Sequence, residues 1–592
     1  MSVNFSLPDI DAMQNLPEAL LSIANSAAIR PAQWYRKDGE YLPITYAQMI
    51  TRIRHITTGL IQAGVKPGDR IALLMENRPE WAVIDYAILA TGAVTVPLYC
   101  SYRPQDMAYV LNDSGASSVF TSGGRLLRDL KIAAAECKAV KRIYCCDDGG
   151  DGELTHPMSE LEGMEVDELQ LEKRLAKIDR DQLATLVYTS GTTANPKGVM
   201  LTHGNILTNL ESVTTLFPDL NQGDRLLSFL PLAHALERTA GHFFPYSFGI
   251  SVAFAERPDT VAKNLTEAKP TIMISVPRML EVVRSRILAT LAKQSALKQK
   301  LFQLFFTLAE KQQRGPIAAL VFKLLDRLVG QKIRDRFGGR MRAIASGGAP
   351  LSYEVGSFFE HLGLPILEGY GLSESAPLIT ANPLYRQKLG TVGIVANSVE
   401  VKIAEDGEIL ARGGNIMPGY WKNKKATREA LIDGWLHTGD IGEFDADGYL
   451  KITDRKKDII VNSGGENVAP QRVEGVLVAC SEIDQVVVYG DQKPYLVALI
   501  VPNAEACKAW ATEQGLPETD WDHLCDSPIL KKHLQTIINA LLKPLNPFEQ
   551  VRRIHLLHTP FTIESGLLTP TMKIKRRKVY DLYGETIESL YN

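Results

Sequence analysis

Several features that would place a chain of 592 residues in a familiar class are missing from this sequence. Its seven cysteines form no CxxC pair and no Cys/His spacing typical of zinc, so we expect reduced thiols rather than a disulfide scaffold or a zinc site. The net charge is only −3, so we expect no nucleic-acid partner. The N-terminus lacks the basic start and apolar core of a signal peptide, and we predict a cytoplasmic protein.

Long apolar runs are also scarce. The longest, WAVIDYAILATGAVTVPLYC at residues 81–100, contains Asp85, Gly92 and Pro97, whereas a membrane span needs ~20 mostly apolar residues. We interpret this run as a buried helix followed by a buried strand. The hydrophobic fraction of 45% is typical of a globular chain, and the length indicates several structural units.

A loop rich in glycine and threonine is the most unusual segment that is present. The β-prone run ATLVY (184–188) leads into TSGTTANPKG, and a helical pattern follows with Thr202 as its candidate N-cap. Such a loop presents N–H groups and hydroxyls toward one point, which suits phosphate. It does not match the P-loop, because Lys197 follows Pro196 and precedes Gly198. A flexible, hydroxyl-rich surface loop is the alternative that this segment alone leaves open.

Two later segments place glycine directly after an apolar, strand-like run. These are ASGGAPL (345–351) and LPILEGYGLSESAP (364–377), and ligands of α/β proteins gather at such strand ends. Glu374 could supply an oxygen ligand to Mg²⁺, and Tyr370 could stack on a purine. Taken alone, Glu374 is equally typical of a solvated loop acid and Tyr370 of a core residue.

The C-terminal third changes in character after DRKKD (454–458). Before it lie two predicted hairpins, with turns at Asp406-Gly407 and Asp447-Gly448, and GWLHTGD lies between them. After it come a helix that starts near Pro470 and two strands, QVVVYG and YLVALIV. We therefore place a domain boundary at Asp454.

Five segments carry a resemblance to a known family. YTSGTTANPKGVMLTH (188–203), EGYGLSES (368–375), GWLHTGD (434–440), DRKKD and LTPTMKIKRR (568–577) together resemble the adenylate-forming (AMP-binding) enzymes, in their long-chain fatty acyl-CoA synthetase branch. The resemblance implies an α/β and α+β multidomain fold. A large N-terminal domain (1–453) would carry a small mobile C-terminal lid (454–592) that turns on Asp454.

The resemblance also implies a reaction and its partners. A long-chain fatty acid attacks ATP, with Mg²⁺ as cofactor, to give acyl-AMP and pyrophosphate. CoA then takes the acyl group and AMP leaves.

The resemblance assigns roles to residues around the phosphates. Thr189 and Glu374 would be Mg²⁺ ligands, and Ser373, where relatives often carry Thr, would donate to the α-phosphate. The β- and γ-phosphates would be cradled by Ser190, Gly191, Thr192, Thr193 and Lys197.

The other assigned roles concern the nucleoside and the acyl carboxylate. The adenine site would be lined by Gly347, Gly348, Glu368, Gly369 and Tyr370. The ribose would contact Asp440 and Arg455, and Lys457 would contact the nucleotide. His234, in PLAHALER, would border the carboxylate, although a lone His is more often structural.

Lys573 falls at the position of the family's adenylation lysine. Five of the six residues 573–578 are basic, so a solvated tail is the alternative. One departure from relatives is that Val461 and Asn462 stand where many carry a second lysine, so no role in thioester formation is carried over to that position.

Residues 291–342, which we name the basic segment, carry a net charge of +9. Two helical stripes lie in it: Leu297, Leu301, Leu304, Phe305 and Leu308, then Ile317, Leu320, Val321, Leu324, Leu325 and Leu328. Basic amphipathic helices suit an anionic membrane surface, where free fatty acid also partitions, so peripheral association with the inner face of a membrane is one prediction. The alternative is that both stripes pack on the large domain.

Rival functions remain open at this point. One is a ligase that passes acyl-AMP to a carrier protein, although only 66 positions separate Glu374 from Asp440, which leaves little room for the segment such enzymes insert. Others are a CoA ligase for another hydrophobic acid and a non-catalytic nucleotide- or fatty-acid-binding protein. Acyl chain length and oligomeric state are open as well, a homodimer being one arrangement.

Overall fold

A computed structural model of the chain describes residues 8–147, 150–189, 196–311, 315–516, 520–569 and 573–592, without the side chains of residues 24, 25 and 258. The predicted residues Ser190, Gly191, Thr192 and Thr193 lie outside the described residues.

Helices and strands alternate along most of the chain. The first part contains α1 (Leu16–Ala27), β1 (Pro31–Lys37), β2 (Glu40–Thr45), α2 (Tyr46–Gln62), β3 (Arg70–Leu74), α3 (Pro79–Ala90), β4 (Val94–Leu98), α4 (Pro104–Ser114), β5 (Ser118–Thr121), α5 (Gly124–Ala135), β6 (Arg142–Cys145), β7 (Thr155–Pro157), α6 (Ser159–Glu162) and α7 (Glu168–Leu175). The middle part contains β8 (Leu183–Thr189), β9 (Lys197–Thr202), α8 (His203–Leu216), β10 (Arg225–Ser228), α9 (Phe244–Ser247), β11 (Ser251–Phe254), α10 (Val261–Ala268), β12 (Ile272–Ser275), α11 (Pro277–Ala292), α12 (Ala296–Ala309), α13 (Pro316–Leu325), α14 (Gln331–Arg336), β13 (Ala343–Ser346), α15 (Tyr353–His361), β14 (Ile366–Gly371), β15 (Leu378–Ala381) and β16 (Ile394–Val395). The last part contains β17 (Val399–Ile403), β18 (Glu408–Gly413), β19 (Gly419–Tyr420), α16 (Lys424–Ala430), β20 (Leu431–Ile432), β21 (Trp435–Phe444), β22 (Leu450–Arg455), β23 (Ile460–Val461), β24 (Asn467–Val468), α17 (Pro470–Val478), β25 (Ile483–Tyr489), β26 (Leu496–Pro502), α18 (Ala504–Glu513), α19 (Trp521–Cys525), α20 (Pro528–Leu542), β27 (Val551–Leu556) and α21 (Arg576–Ser589).

Two large mixed sheets form the N-terminal domain. Eight described strands make the first, in the order β19-β9-β8-β4-β3-β5-β6-β7, and nine make the second, in the order β16-β15-β14-β13-β12-β10-β11-β1-β2. The pairings from β8 to β7 in the first sheet and from β14 to β1 in the second are parallel. Parallel sheets are covered by helices on both faces, which explains the near-continuous apolar character of these strands.

The core between the sheets is built on α3, which the sequence predicted as a buried helix. Trp81, Tyr86 and their neighbours along α3 are buried, and they pack with Phe243 and Tyr246. Fully burying a large apolar side chain stabilises the fold by ~1.5–3 kcal/mol. The apolar run 81–100 is thus a core helix and strand, and no helix among the described residues is long and apolar enough to cross a membrane.

A third sheet connects the N-terminal domain to the C-terminal one. Its strands are β17-β18-β21-β20, with β22 paired to β21, and they form the two hairpins that the sequence predicted. Asp454 lies inside β22, opposite Ile441 of β21.

The small C-terminal domain has its own core. Helix α17 begins at Pro470 and the predicted strands are β25 and β26, which pair with β27. The domain contains two apolar clusters, and all the buried residues of both lie between positions 460 and 590. The α/β and α+β class with one large and one small domain is therefore confirmed, and none of the seven cysteines, each of them described, forms a disulfide.

One local detail differs from the sequence interpretation, and a second was not predicted. The EGYG segment lies within β14, because Gly369 and Tyr370 pair with β15, rather than in a loop after a strand. The KGVML segment is strand β9, antiparallel to β8. Thr202 is the N-cap of α8, as predicted, in a capping box with Asn205.

The basic segment forms helices that are only partly packed. Phe305, Leu308 and Leu325 are buried in the core on the second sheet. The exposed apolar residues of the two stripes are Leu297, Leu304, Ile317, Leu320, Val321, Leu324 and Leu328. The alternative that both stripes pack on the large domain therefore holds for one side of each helix, while a second apolar side faces outward.

Candidate active site

A cavity of about 2890 Å³ lies between the two domains and is bordered by residues of all five motifs. It lies where parallel strands end, since Thr189 is the last residue of β8 and Gly347 follows β13. This is the edge of a parallel sheet at which ligands bind in α/β proteins. The described residues that the sequence selected and that line it are Thr189, Lys197, His234, Gly347, Gly348, Glu368, Gly369, Tyr370, Ser373, Glu374, Asp440, Arg455, Lys457 and Lys573.

Two paired strands lie on either side of the glycine- and threonine-rich segment in the chain. Thr189 of β8 and Lys197 of β9 are register partners, so the segment that includes residues 190–195 joins adjacent strands. The carbonyl of Pro196 accepts a hydrogen bond of 3.1 Å from the Tyr109 hydroxyl. Thr189 and Lys197 thereby reach the cavity from the same edge of the first sheet.

Glu374 lies in a 3-10 turn formed by residues 373–375, directly after β14. Its Oε1 accepts a hydrogen bond of 2.7 Å from the hydroxyl of Tyr420, and its carbonyl accepts one of 2.9 Å from the Met417 N–H. The Lys197 Nζ lies 5.0 Å from the centroid of the same Tyr420 ring. No sequence motif identifies Tyr420, because the pairing of β19 with β9 that brings it here joins distant parts of the chain.

The Thr189 hydroxyl and the Glu374 carboxylate are oxygen ligands of the kind that a hard cation prefers. Mg²⁺ is usually bound through one or two protein oxygens together with substrate phosphates and waters. No group of three or more His, Cys, Asp or Glu among the described residues could hold a metal by itself. The two residues therefore fit a magnesium ion that arrives with phosphate, rather than an ion enclosed by protein alone.

Asp440 and Arg455 are neighbours on paired strands. They are register partners in β21 and β22, with 3.5 Å between Arg455 Nε and Asp440 Oδ1. The Tyr370 hydroxyl donates to Asp440 Oδ2 at 2.8 Å, while the Tyr370 ring packs in an apolar cluster with Ile379 and Leu450. Burial raises the pKa of Asp440, and the charge of Arg455 opposes that shift.

Gly347, Gly348 and Glu368 lie at the ends of β13 and β14. A side chain at Gly347 would come within 3.3 Å of the Gly369 carbonyl, and Gly348 has φ +82°, so both positions favour glycine. Glu368 is buried and its Oε1 accepts a hydrogen bond of 3.3 Å from the Gly390 N–H. Burial raises its pKa to about 7.

Lys573 comes into the cavity from the C-terminal domain. Its backbone is held by Thr569, whose N–H donates to the Lys573 carbonyl at 2.8 Å and whose hydroxyl accepts from the Lys573 N–H at 3.0 Å. The side chain is reached by solvent through the cavity but is surrounded by protein charges. Desolvation by the surrounding protein lowers the pKa of Lys573, and Arg455 lowers it further, while Asp440 and Glu374 oppose the shift. Lys573 is therefore a solvated cation that borders the cavity.

His234 is neutral near pH 7. Burial, assisted by the charge of Lys573, lowers its pKa to about 4. Its Nδ1 accepts a hydrogen bond of 3.3 Å from the Leu236 N–H, so the proton of the neutral ring is assigned to Nε2. That nitrogen can donate to an anion in the cavity.

The predicted cation Lys457 is exposed at the cavity rim, and its neighbour Lys456 is paired. Lys456 Nζ lies 2.7 Å from Asp406 and 2.9 Å from Glu408, both on the hairpin of β17 and β18. This contact, which the sequence analysis did not predict, ties the chain just after β22 to the third sheet.

Apolar side chains line another part of the same cavity. Ile274, Ala345 and Leu367 are register neighbours on β12, β13 and β14 and form one row on the second sheet. The other apolar residues that line the cavity include Val213 and Leu216 of α8, Phe217 directly after it, and Leu236, Ala240 and Phe244. An apolar wall beside charged groups fits a ligand with a carboxylate and a hydrocarbon body.

Comparison with known proteins identifies the family and the fold of the chain. Residues 23–421 match the AMP-binding enzyme family, and residues 457–592 match the AMP-binding enzyme C-terminal domain. Long-chain-fatty-acid--CoA ligase FadD15 of Mycobacterium bovis is 37% identical over 94% of this chain and 93% of its own length. Long chain acyl-CoA synthetase 6, peroxisomal, of Arabidopsis thaliana is 33% identical over 93% of this chain and 82% of its own length.

Solved structures share the fold at lower identity. The A-PCP didomain of a carboxylic acid reductase from Segniliparus rugosus, in complex with AMP, superposes with a TM-score of 0.78 at 22% identity, covering 98% of this chain and 83% of that one. The anthranilate CoA ligase AuaEII, in complex with anthranoyl-AMP, gives a TM-score of 0.73 at 20% identity, covering 97% and 99%.

Proposed function

The chain belongs to the AMP-binding enzyme family, and we propose that it activates a long-chain fatty acid to its CoA thioester through an acyl-adenylate. In the first step a carboxylate oxygen forms a bond to the α-phosphorus of ATP, and the bond to the bridging oxygen breaks to release pyrophosphate. In the second step the CoA sulfur bonds to the acyl carbon, the thiol proton is lost, and AMP leaves. The observation that carries the proposal is the convergence of Lys197, Glu374, Asp440 and Lys573 on one cavity that also has an apolar wall.

The phosphate side of the cavity would stabilise the departing pyrophosphate. Lys197, with Ser190, Gly191, Thr192 and Thr193 of the adjoining loop, would supply donors where negative charge develops. Ser373 would donate to the α-phosphate. Mg²⁺ bound by Thr189 and Glu374 would neutralise phosphate charge.

The nucleoside would lie between the ends of β13 and β14 and the third sheet. Asp440, held by Tyr370 and Arg455, would accept hydrogen bonds from the ribose hydroxyls. The adenine would contact Gly347, Gly348, Glu368, Gly369 and Tyr370, and Lys457 would reach the nucleotide from the rim.

The acyl carboxylate would be placed between Lys573 and His234. The Lys573 ammonium would bridge the attacking oxygen and the α-phosphate, and the neutral His234 would donate from Nε2 without adding charge. The hydrocarbon chain would extend along Ile274, Ala345 and Leu367.

The C-terminal domain would act as a moving lid. We propose residues 1–453 and 454–592 as the two units and Asp454 as the hinge. Lys573 borders the cavity and would serve the first step from there, so the second step would require the lid to rotate and withdraw it, as hinge motions around a few residues allow.

One assay tests this function against its rivals. AMP release is measured with fatty acids of graded length, with and without CoA, beside ATP–pyrophosphate exchange. We expect exchange with long-chain acids alone and sustained AMP release only when CoA is added. Preference for a small aromatic acid would contradict the proposal and indicate a CoA ligase for another acid. Turnover that requires a carrier protein would contradict it in favour of a carrier-protein ligase. Absence of exchange with every acid would indicate a binding protein.

We also propose that the exposed side of α13 binds an anionic membrane. Ile317, Leu320, Val321 and Leu324 form one outward stripe, with Leu320 72% and Leu324 60% exposed. Lys323 and Arg327 are exposed beside this stripe. An apolar stripe with basic neighbours suits insertion at the headgroup level, where fatty acid is also available.

Vesicle sedimentation tests the membrane proposal. The wild type should sediment with anionic more than with neutral vesicles, and less at high salt, because exposed charges are screened over ~8–10 Å. Leu320→Asp with Leu324→Asp should weaken vesicle binding at least ~100-fold, since each leucine contributes ~1.5–3 kcal/mol on burial. The control Leu169→Asp changes a leucine of α7 that is 61% exposed, and it should have no effect. Equal loss in both variants would contradict the proposal.

A further inference from the structure

Tyr420 contacts two side chains that belong to different parts of the site. Its hydroxyl donates to Glu374 Oε1 at 2.7 Å, and its ring centroid lies 5.0 Å from Lys197 Nζ. In the proposed function Glu374 binds the magnesium ion and Lys197 the pyrophosphate. One half-buried aromatic residue therefore touches both groups that face the leaving phosphates.

The position of Tyr420 is fixed by its backbone. It lies in β19, where Tyr420 and Val199 are register partners, so it is paired to the strand that begins at Lys197. Its N–H donates to the Thr427 hydroxyl at 3.0 Å. The preceding Met417 N–H donates to the Glu374 carbonyl at 2.9 Å. The segment that carries the ring is thus bonded to both elements that it orients.

The hydroxyl of Tyr420 holds one oxygen of the Glu374 carboxylate by donating a hydrogen bond to it. Its bond is the one side-chain hydrogen bond that Glu374 makes among the described residues, and it engages Oε1, which leaves Oε2 for a cation. The ring contributes separately, because an aromatic face attracts an ammonium group and restricts where it lies.

We propose that Tyr420 is a positioning residue for acyl-adenylate formation. Its hydroxyl orients the Glu374 carboxylate toward the magnesium ion of Mg-ATP, and its ring orients Lys197 toward the departing pyrophosphate. The inference rests on the proposed function of the site and adds a residue that none of the five motifs contains.

Two substitutions separate the two contacts. Tyr420→Phe removes the hydroxyl and keeps the ring, whereas Tyr420→Leu removes both. The matched control is Tyr385→Phe, because the exposed Tyr385 hydroxyl donates to the Asp219 carboxylate at 2.6 Å, outside the cavity. Each variant is made in the full-length chain, and thermal unfolding is compared with that of the control.

The first measurement is binding rather than turnover. Mn²⁺ is titrated into the enzyme–ATP complex and the free ion is followed by electron paramagnetic resonance. Tyr420→Phe should weaken Mn²⁺ binding about 10-fold, in line with losing a hydrogen bond to a charged group, and raise the Mg²⁺ requirement of ATP–pyrophosphate exchange. Its inhibition by pyrophosphate should be unchanged, whereas Tyr420→Leu should weaken that inhibition as well. Tyr385→Phe should match the wild type in every measurement.

A double-mutant cycle tests whether Tyr420 acts through Glu374. In a Glu374→Gln background, Tyr420→Phe should cause little further change in Mn²⁺ binding, because the carboxylate that it orients is gone. Additive effects, or wild-type Mn²⁺ binding by Tyr420→Phe, would overturn the inference. If the wild-type protein catalysed no ATP–pyrophosphate exchange with any of the acids, that result would instead overturn the proposed function.

Discussion

His234, Asp440 and Lys573 border one cavity, and the pKa of each is changed by its surroundings. Burial and the charge of Lys573 lower the pKa of His234 to about 4, burial raises that of Asp440, and desolvation lowers that of Lys573. A neutral imidazole and an ammonium group beside carboxylates are suited to holding a substrate carboxylate against a phosphate.

At the residue scale the Lys573 charge should matter for one half-reaction. Lys573→Ala should slow acyl-AMP formation ~10²–10³-fold, because a preorganised donor is lost where charge develops. Thioester formation from chemically supplied acyl-AMP should be nearly unchanged. Rapid-quench measurement of both half-reactions checks this, with Lys578→Ala as a control that removes the same charge from the same segment. Equal slowing of both steps by Lys573→Ala would exclude a role confined to the first.

At the scale of elements, helices α1 and α8 are joined through a buried histidine. His203 begins α8, and its Nδ1 accepts a hydrogen bond of 3.3 Å from the N–H of Leu16, the first residue of α1. Burial lowers the pKa of His203 to about 4, although Asp85 and Asp179 oppose the shift. The contact therefore depends on a neutral ring.

This contact predicts acid sensitivity of α1. The folded-state pKa lies below the unfolded value, so its stabilisation is complete above about pH 6.5 and is lost as the pH falls toward 4, at ~1.4 kcal/mol per pH unit. Hydrogen exchange followed by mass spectrometry should show α1 opening more readily across this window. His203→Gln, which keeps an acceptor but no titrating group, should flatten that dependence, while the control His523→Gln on the C-terminal domain should not. If His203→Gln left the pH profile unchanged, a group other than His203 would cause the acid sensitivity of α1.

At the scale of the whole molecule, one side-chain contact joins the two domains and would be broken by the proposed rotation of the lid. Arg278 of α11 and Asp484 of β25 approach to 3.9 Å across the two domains. Lys573 lies in the cavity in the same arrangement. In the proposed mechanism the first step would use this arrangement and the second step would have to leave it.

A reversible crosslink tests that motion. Arg278→Cys with Asp484→Cys, joined by a short thiol-cleavable reagent, should keep acyl-AMP formation near the wild-type rate and strongly slow transfer to CoA, because the lid can no longer rotate. Reduction should restore transfer. The single variant Asp484→Cys with the same reagent is the control. Undiminished transfer in the crosslinked protein would show that no such rotation is needed.

The sequence by itself determined the local elements and the inventory of charged groups near the motifs. Periodicity and capping depend on neighbours a few positions apart, so the strand before Thr189, the Thr202 cap, the two hairpins and the helix at Pro470 were predicted correctly. The motif order predicted the family and the two-domain architecture for the same reason: each motif is a short continuous string.

Only the tertiary structure decided which distant groups meet and how they titrate. Tyr420 reaches Glu374 and Lys197 because β19 pairs with β9, and the outward stripe of α13 exists because its other side packs against α12. Neither pairing nor packing leaves a local signal, since both depend on long-range contacts. The pKa values of His234 and Lys573 likewise depend on how many atoms of other segments displace water around them, which no single stretch of sequence contains.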